Sequence, residues 1–326
     1  MKEDKPYLHS CKGDRPDIPL VSSEITQTKK AAYVRDKLID SQLELISKTR
    51  IDAWINKFTS SFPSRHSKSR SINQVAEWLK KEFENAGHTN VYFHNYTKNN
   101  YQLKNVICNK QGKTDKAIII CAHYDSRMKE LEDAESSAPG ADDNASGVAV
   151  VLETARVLLQ VDFYYGIQFV LFSGEEQDLW GSEEYARYVS DNKIEIHRVI
   201  NLDMVGYPPL GQQIINIERE IGNAGTPCNK VSTNDRDSEA FAHSMEEIAC
   251  IYTNLIAIKG PIYSSDYCPF ENRGYVVAGL YDEGQCNNPH YHSSNDLPSD
   301  LDMNYITSVT KLIVATILKE ARTETP

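Results

Sequence analysis

The sequence predicts an α/β fold: a mixed, mainly parallel twisted sheet sandwiched between helices, in a single domain. Two observations carry this expectation. Short apolar runs of strand length alternate with longer stretches of helical spacing, the pattern of a sheet covered by helices on both faces. Residues that bind metals or move protons follow directly on those apolar runs. In open α/β sheets the carboxyl ends of the strands form one crevice, so such residues can meet there although they lie far apart in sequence.

Residues 1–40 are polar, with prolines at 6, 16 and 19 and little periodicity, and are expected to form an extended or partly disordered arm. A single domain is expected from 41 to 326. Apolar residues at helical spacing mark a helix over Leu43–Phe58 (Leu45, Ile46, Ile51, Trp54, Ile55, Phe58) and a second over Ser71–Ala86 (Ile72, Val75, Ala76, Leu79, Phe83). Strands are then expected at 103–109 and 116–122, a helix at 147–160, a strand at 166–172, a helix at 181–190 and a strand at 197–203. After Gly206 come a strand-like segment at 212–217, a polar loop at 220–235 and a helix at 237–250. A strand over Tyr275–Leu280, a long loop at 282–302 and a helix at 303–321 complete the chain.

With 326 residues, 40% hydrophobic and 25% charged, the chain can bury a full core. A formal net charge of −11 argues against nucleic acid or an anionic membrane as partner, and no apolar run approaches the roughly 20 residues of a membrane span. The first twenty residues lack the apolar stretch of a secretory signal, which suits either a cytoplasmic protein or a mature one whose signal has been removed. Seven cysteines, at 11, 108, 121, 228, 250, 268 and 286, form no CxxC pair, against a cysteine-based zinc site. Cys108 and Cys121 lie in apolar strand patterns and read as buried, inert thiols. Asn95-Tyr96-Thr97 matches the glycosylation sequon, a pattern too short to decide anything.

Five segments carry the chemistry. His123 and Asp125 end the run Ala117–Ala122, on one side of the backbone because a strand alternates. A carboxylate beside a zinc-bound imidazole commonly fixes its tautomer and orientation, so Asp125 can support His123 rather than bind metal itself. The loop Gly140–Gly147 (GADDNASG) holds Asp142 and Asp143 ahead of an apolar helix. Asn144 or Ser146 could cap that helix, but capping needs no pair of acids; Asp143 is expected to ligate and Asp142 to be solvated or hydrogen-bonded nearby. Glu175 and Glu176 follow Ile167–Phe172 and a Ser173-Gly174 turn. One can bind metal while the other, with a raised pKa, serves as general base, although an acidic first helical turn would also place two glutamates there. Asp203 ends Val199–Leu202, flanked by apolar residues, and needs a partner to offset its desolvation. His292 sits in the loop PHYHSSND, with His290 as a rival ligand and Asp296 as a candidate to orient the loop. Two imidazoles and three carboxylates exceed what one tetrahedral zinc takes and suit two metals sharing a bridging carboxylate.

Taken in order, HYDS, GADDNASG, FSGEE with LWGSEEY, NLDMVG and YHSSND resemble the di-zinc exopeptidases of the bacterial leucyl aminopeptidase and aminopeptidase Y type, over about residues 60–320. The resemblance implies a zinc exopeptidase-like fold with two Zn2+ per chain. It implies His123 and Asp203 on one ion, Glu176 and His292 on the other, Asp143 bridging, and Glu175 as general base. It further implies a cis peptide at Asp143-Asn144. Tyr291 matches a tyrosine that in some members stabilises the tetrahedral intermediate, where others have an apolar residue. The implied activity is hydrolysis of the N-terminal peptide bond of peptides with a free N-terminus, by a monomer that is secreted or periplasmic. Ser265, Asp266, Tyr267 and Phe270 are expected to line the substrate pocket, although core packing accounts for Phe270 as well. Two other readings share the fold: a single-zinc glutaminyl cyclase, and a binding domain that has lost catalysis.

Overall fold

The computed structural model describes residues 34–209, 212–222, 233–283 and 288–322. The arm expected over 1–40 lies outside the described residues as far as 33, as do Cys11, Cys228 and Cys286. Helix α1 (Lys37–Leu43) begins inside that segment, four residues ahead of the expected boundary at 41, with the Asp36 carboxylate accepting from Leu38 and Ile39 amides. The expected helix 43–58 starts too early, since Leu43 is the last residue of α1. Ser47 breaks it by capping α2 (Lys48–Ser61) with its hydroxyl, and Leu45, part of the apolar spacing, is 51% exposed.

Helix α3 (Ile72–Asn85) is followed by the hairpin β1 (Val91–Lys98) and β2 (Tyr101–Lys110), then β3 (Ala117–His123). Next come α4 (Gly147–Leu158), β4 (Gly166–Phe172), α5 (Trp180–Asp191), β5 (Ile196–Leu202) and β6 (Ile214–Arg219). Helix α6 (Asp235–Tyr252), β7 (Ile256–Pro261), the short α7 (Cys268–Glu271), β8 (Val277–Tyr281) and α8 (Met303–Glu320) complete it. Three of these had no expectation attached. β1 (VYFHNYTK) and β7 (IAIKGP) are the two edge strands, too polar or too interrupted to read as apolar runs, and α7 spans four residues.

All eight strands form one sheet in the order β1-β2-β4-β3-β5-β8-β6-β7. The pairs β3·β4, β3·β5, β5·β8 and β6·β7 are parallel, and β1·β2, β2·β4 and β6·β8 antiparallel. The sheet is therefore mixed and mainly parallel, with its parallel core at β4-β3-β5-β8. Alternation divides the core into two layers. Ile118, Ile120 and Ala122 of β3 pack towards α2, α3, α4, α6 and α8, while Ile119 and Cys121 pack with Tyr185, Ala186 and Val189 of α5 and Phe270 of α7. Phe270, for which both the pocket and core packing were open, is a core residue of this second layer. Cys108 and Cys121 are free, buried thiols, with burial pushing Cys108 up to about 12. Cys268 is disulfide-bonded. Among the described residues no helix is long and apolar enough to cross a membrane.

An aromatic knot under α2 ties the first layer to the loop segment that precedes α3. Phe58 stacks on Trp78 with ring centroids 5.3 Å apart, touches Trp54 at 4.9 Å, and lies under the Arg65 guanidinium at 4.6 Å. Phe58→Ala should lower unfolding free energy by about 3–5 kcal/mol through lost burial and an unfilled cavity. Urea denaturation would measure it; a loss below about 1 kcal/mol would mean that the site collapses freely and the knot holds little.

Candidate metal centre

Three neighbouring parallel strands, β4, β3 and β5, deliver Glu175 and Glu176, His123, and Asp203 to one edge of the sheet. His123 is the last residue of β3, Asp203 follows β5 directly, and the glutamates follow β4 by three and four residues. Asp143 and His292 arrive on loops, before α4 and after β8. The Asp143-Asn144 peptide is cis.

The Gly140–Gly147 loop is fixed on both sides. Asn144 donates to Leu202 O at 2.8 Å and accepts from Gly147 N at 3.0 Å and Met204 N at 3.3 Å. It thus serves the first turn of α4 and the end of β5 together. Ser146 Oγ donates to Asp142 O at 2.7 Å and accepts from Val205 N at 3.0 Å, so it does not cap the helix. From the other side, the Asp296 carboxylate accepts from Asp142 N at 3.0 Å and Asp143 N at 3.1 Å, which brings the His292 loop against it. Asp142 points away from the centre, its Oδ1 accepting from Gly206 N at 3.0 Å and Oδ2 from Asn288 Nδ2 at 3.4 Å.

The other four expected ligands gather around Asp143. His123 Nε2 lies 3.3 Å from Asp143 Oδ1 and 3.2 Å from Asp203 Oδ1. His292 Nε2 lies 3.0 Å from Asp143 Oδ2 and 3.1 Å from Glu176 Oε2. His290 turns to Asp300 instead, 3.8 Å away. His292 holds a left-handed backbone, φ 52°, uncommon without glycine and frequent at functional sites. Tyr291 stacks on its ring, centroids 3.6 Å apart.

These separations are informative. Zinc bonds of about 2.0–2.1 Å place tetrahedral ligand atoms about 3.3 Å from one another, and the imidazole–carboxylate pairs sit at that spacing. His292 Nε2 and Glu176 Oε1 are buried with no hydrogen-bond partner. His292 Nε2 is close to two carboxylate oxygens yet lacks hydrogen-bond geometry to either, as expected of ligand atoms aimed at an ion between them. His123, Asp143 and Glu176 offer donor atoms all within 4.8 Å. The donor set, imidazole nitrogen and carboxylate oxygen without thiolate, fits zinc.

Supporting residues orient the ligands. Ser265 Oγ donates to Asp203 Oδ2 at 2.6 Å and accepts from Asn201 Nδ2 at 2.8 Å. Asp125 sits beside His123 as expected, but its role is broader. His123 Nδ1 is nearer the Asp125 main-chain oxygen (3.2 Å) than its carboxylate (3.6 Å). The carboxylate accepts from Glu175 N and Glu176 N, each at 3.3 Å, and from Ser67 Oγ at 3.1 Å. Two arginines escaped the sequence reading. Arg65 is fully buried and donates to Tyr124 O at 2.8 Å, Gly140 O at 2.9 Å and Pro139 O. Arg127 Nε donates to Glu176 Oε2 at 2.7 Å. Arg127 follows HYDS directly, and a cation beside five acids was the available signal; nothing in FPSRHSKS singles out Arg65.

Electrostatics set the glutamates apart. Burial drives Glu175 well above the ordinary carboxyl range, with Asp203 and Glu176 adding to it against the pull of His123. Glu175 is 15% exposed and Glu176 4%. Burial also pushes Asp266 up to about 7. For Asp143 burial works in the same direction, but the His123 and His292 imidazoles beside it outweigh it and hold the carboxyl below its ordinary value.

The profile of peptidase family M28 matches residues 105–317, well over half of the chain. The chain belongs to this family of peptide hydrolases. Among curated relatives, "Leucine aminopeptidase 1" of Ajellomyces capsulatus is 27% identical over 310 residues, 91% of this chain and 76% of that one. A "Probable zinc metalloprotease" of Pyrenophora teres f. teres is 30% identical over 191 residues, 52% of this chain and 39% of that one. Among solved structures, the Legionella pneumophila LapA aminopeptidase superposes with a TM-score of 0.75 at 20% identity, covering 96% of this chain and 81% of that one. The Porphyromonas gingivalis glutaminyl cyclase superposes with 0.69 at 20% identity, covering 85% and 99%. These two likenesses establish the shared fold.

Ionisation of His292 gives a test. In the metal-free protein burial disfavours its charge, but Glu176 and Asp143 outweigh this and raise it to about 9. A value above the unfolded one, near 6.5, means that its stabilisation is complete below about pH 6.5 and lost as pH rises through 9. Chelated protein should therefore lose Tm between pH 6.5 and 9, and His292→Gln should flatten that slope. Zinc added at pH 7 should release protons, since a ligating imidazole is neutral. Thermal melts, and calorimetry in buffers of different ionisation heat, read both; a flat Tm with no proton release would contradict the assignment.

Proposed function

We propose that this M28 peptidase is a zinc aminopeptidase that removes the N-terminal residue of peptides with a free N-terminus, using two zinc ions and Glu175 as general base. One observation carries the reading: Asp143 offers one oxygen to the His123–Asp203 pair and the other to the His292–Glu176 pair. That arrangement suits a bridging carboxylate between two ions. The names of the curated relatives, a leucine aminopeptidase and a zinc metalloprotease, point the same way.

His123, Asp203 and Asp143 would hold one ion, and His292, Glu176 and Asp143 the other. Bound there, zinc supplies Lewis acidity towards the scissile carbonyl and acidifies water. Glu175 is the carboxylate left over. Its raised pKa lets it accept the proton of the attacking water and return it to the departing amine within one turnover. The Tyr291 hydroxyl, held by stacking on His292, would donate to the oxygen that gains charge at the carbonyl. Buried carboxylates dominate the site and would attract the α-ammonium of the substrate. The Cys268 disulfide supports work in an oxidising compartment, outside the reducing cytosol.

Glu175→Gln should lower kcat by about 10²- to 10⁴-fold while elemental analysis still finds two zinc ions per chain. Wild type should cleave aminoacyl p-nitroanilides, lose that activity to chelator, and leave an N-terminal glutaminyl peptide uncyclised. One zinc per chain with cyclisation of the glutaminyl peptide would overturn the proposal in favour of the cyclase reading. Near-native activity in Glu175→Gln would remove Glu175 as the base.

A further inference from the structure

Arg127 has capacity that its contacts do not use. Its Nε donates to Glu176 Oε2 at 2.7 Å, and one Nη1 proton goes to Met128 O at 3.1 Å. A guanidinium carries five N–H donors, which leaves one on Nη1 and both on Nη2. Among the described residues these three meet no acceptor, and the side chain is 18% exposed. They are open to solvent at the rim of the metal centre, beside the ligand Glu176. Arg65, the other guanidinium nearby, is fully buried and spends its Nε, Nη1 and Nη2 on the carbonyls of Tyr124, Pro139 and Gly140.

The charges facing this rim are otherwise acidic: Asp143, Glu175, Glu176, Asp203 and Asp266 are all at or beside the centre. Those carboxylates attract an α-ammonium, and Arg127 is the arginine at this rim left to pair with a carboxylate carried by the same substrate. Two adjacent N–H groups at the end of a guanidinium match the two oxygens of a carboxylate and bind it side by side.

We propose that Arg127 forms a carboxylate-binding subsite, selecting peptides that carry a negative charge within reach of the scissile bond. The inference rests on the aminopeptidase reading. Two substrate groups share the required chemistry: the α-carboxylate of a dipeptide, and an acidic side chain on the residue after the cleaved bond. Neither needs Glu176 to release Nε, so ligation and recognition proceed together.

The test uses zinc-loaded wild type, Arg127→Gln and Arg127→Lys with three peptides. These are an apolar dipeptide with a free carboxylate, its C-terminal amide, and an amidated dipeptide with glutamate second. Losses acting through Glu176 fall on all three, so they cancel in the ratios of kcat/KM. Wild type should favour a carboxylate-bearing peptide over the neutral amide by about 10- to 100-fold, chiefly in KM. Arg127→Gln should bring that ratio near one, and Arg127→Lys should restore part of it. The favoured peptide identifies which carboxylate is read. Equal turnover of all three by wild type, or a preference that survives Arg127→Gln, would overturn the subsite. If no N-terminal bond is cut at all, the aminopeptidase reading fails. Calorimetric binding of the same peptides then tests Arg127 separately, with equal affinity for acid and amide counting against it.

Discussion

The metal centre depends on how the Gly140–Gly147 loop is held. Asp143 lies on no regular element, yet two imidazoles and two further carboxylates must meet its oxygens to within a few tenths of an ångström. Asn144 and Ser146 bind the loop to the end of β5, and the Asp296 carboxylate binds it to the His292 loop. Arg65 adds its hydrogen bonds to the carbonyls of Pro139 and Gly140 from beneath. Gly140 has φ 50°, and a Cβ there would stand 2.2 Å from Asp143 O, so a side chain would displace Asp143 directly. Every other ligand could be in place and the site would still fail without this anchoring.

The second constraint is electrostatic. Asp125, Asp143, Glu175, Glu176 and Asp203 converge with little access to water, and unpaired buried charge is strongly unfavourable. The fold answers with donors placed carboxylate by carboxylate. Asp125 receives two amides and a hydroxyl, Asp203 a serine, Glu176 an arginine, and Asp296 two amides. What remains is an excess of negative charge around two imidazoles, the environment in which dications are stabilised. The fit to zinc follows from this imbalance, and it adds to the burial that raises the pKa of Glu175.

Much of this was legible in the sequence, for physical reasons that also explain the gaps. The parallel core reads clearly because β3, β4 and β5 are buried on both faces and so are continuous apolar runs. The same burial makes the acids and histidine at their ends conspicuous. β1 and β7 were invisible because edge strands are half solvated and take Asn, Lys, Gly and Pro. The expected helix 43–58 began too early because Leu45 and Ile46 keep helical spacing across the Ser47 break. Arg65 and Arg127 carry no periodic signal; their importance lies in which carbonyls and carboxylates surround them, and only three-dimensional contact shows that. Asp125 was legible as a neighbour of His123 but not as the acceptor for the Glu175 and Glu176 amides, which are about fifty residues away.

The consecutive glutamates show how local backbone geometry becomes division of labour. Side chains next to each other on a strand point to opposite faces, and on a helix they diverge by roughly a quarter turn or more, so neither element would bring both into one pocket. Gly174, with φ 79°, ends β4 abruptly; a Cβ there would approach Trp180 Cβ to 2.8 Å. The Asp125 carboxylate then grips both following amides, which fixes the turn while leaving the side chains free to separate. Glu176 turns to His292 and Arg127 and is almost entirely enclosed, whereas Glu175 Oε2 lies 4.0 Å from His123 Nε2 and keeps some access to solvent. Arg127 pairs with Glu176, whereas burial, with Asp203 and Glu176 adding to it, raises the Glu175 carboxyl well above its ordinary range. The difference between the two surroundings is thus set by a glycine turn and one carboxylate beneath it, not by the identity of the two side chains.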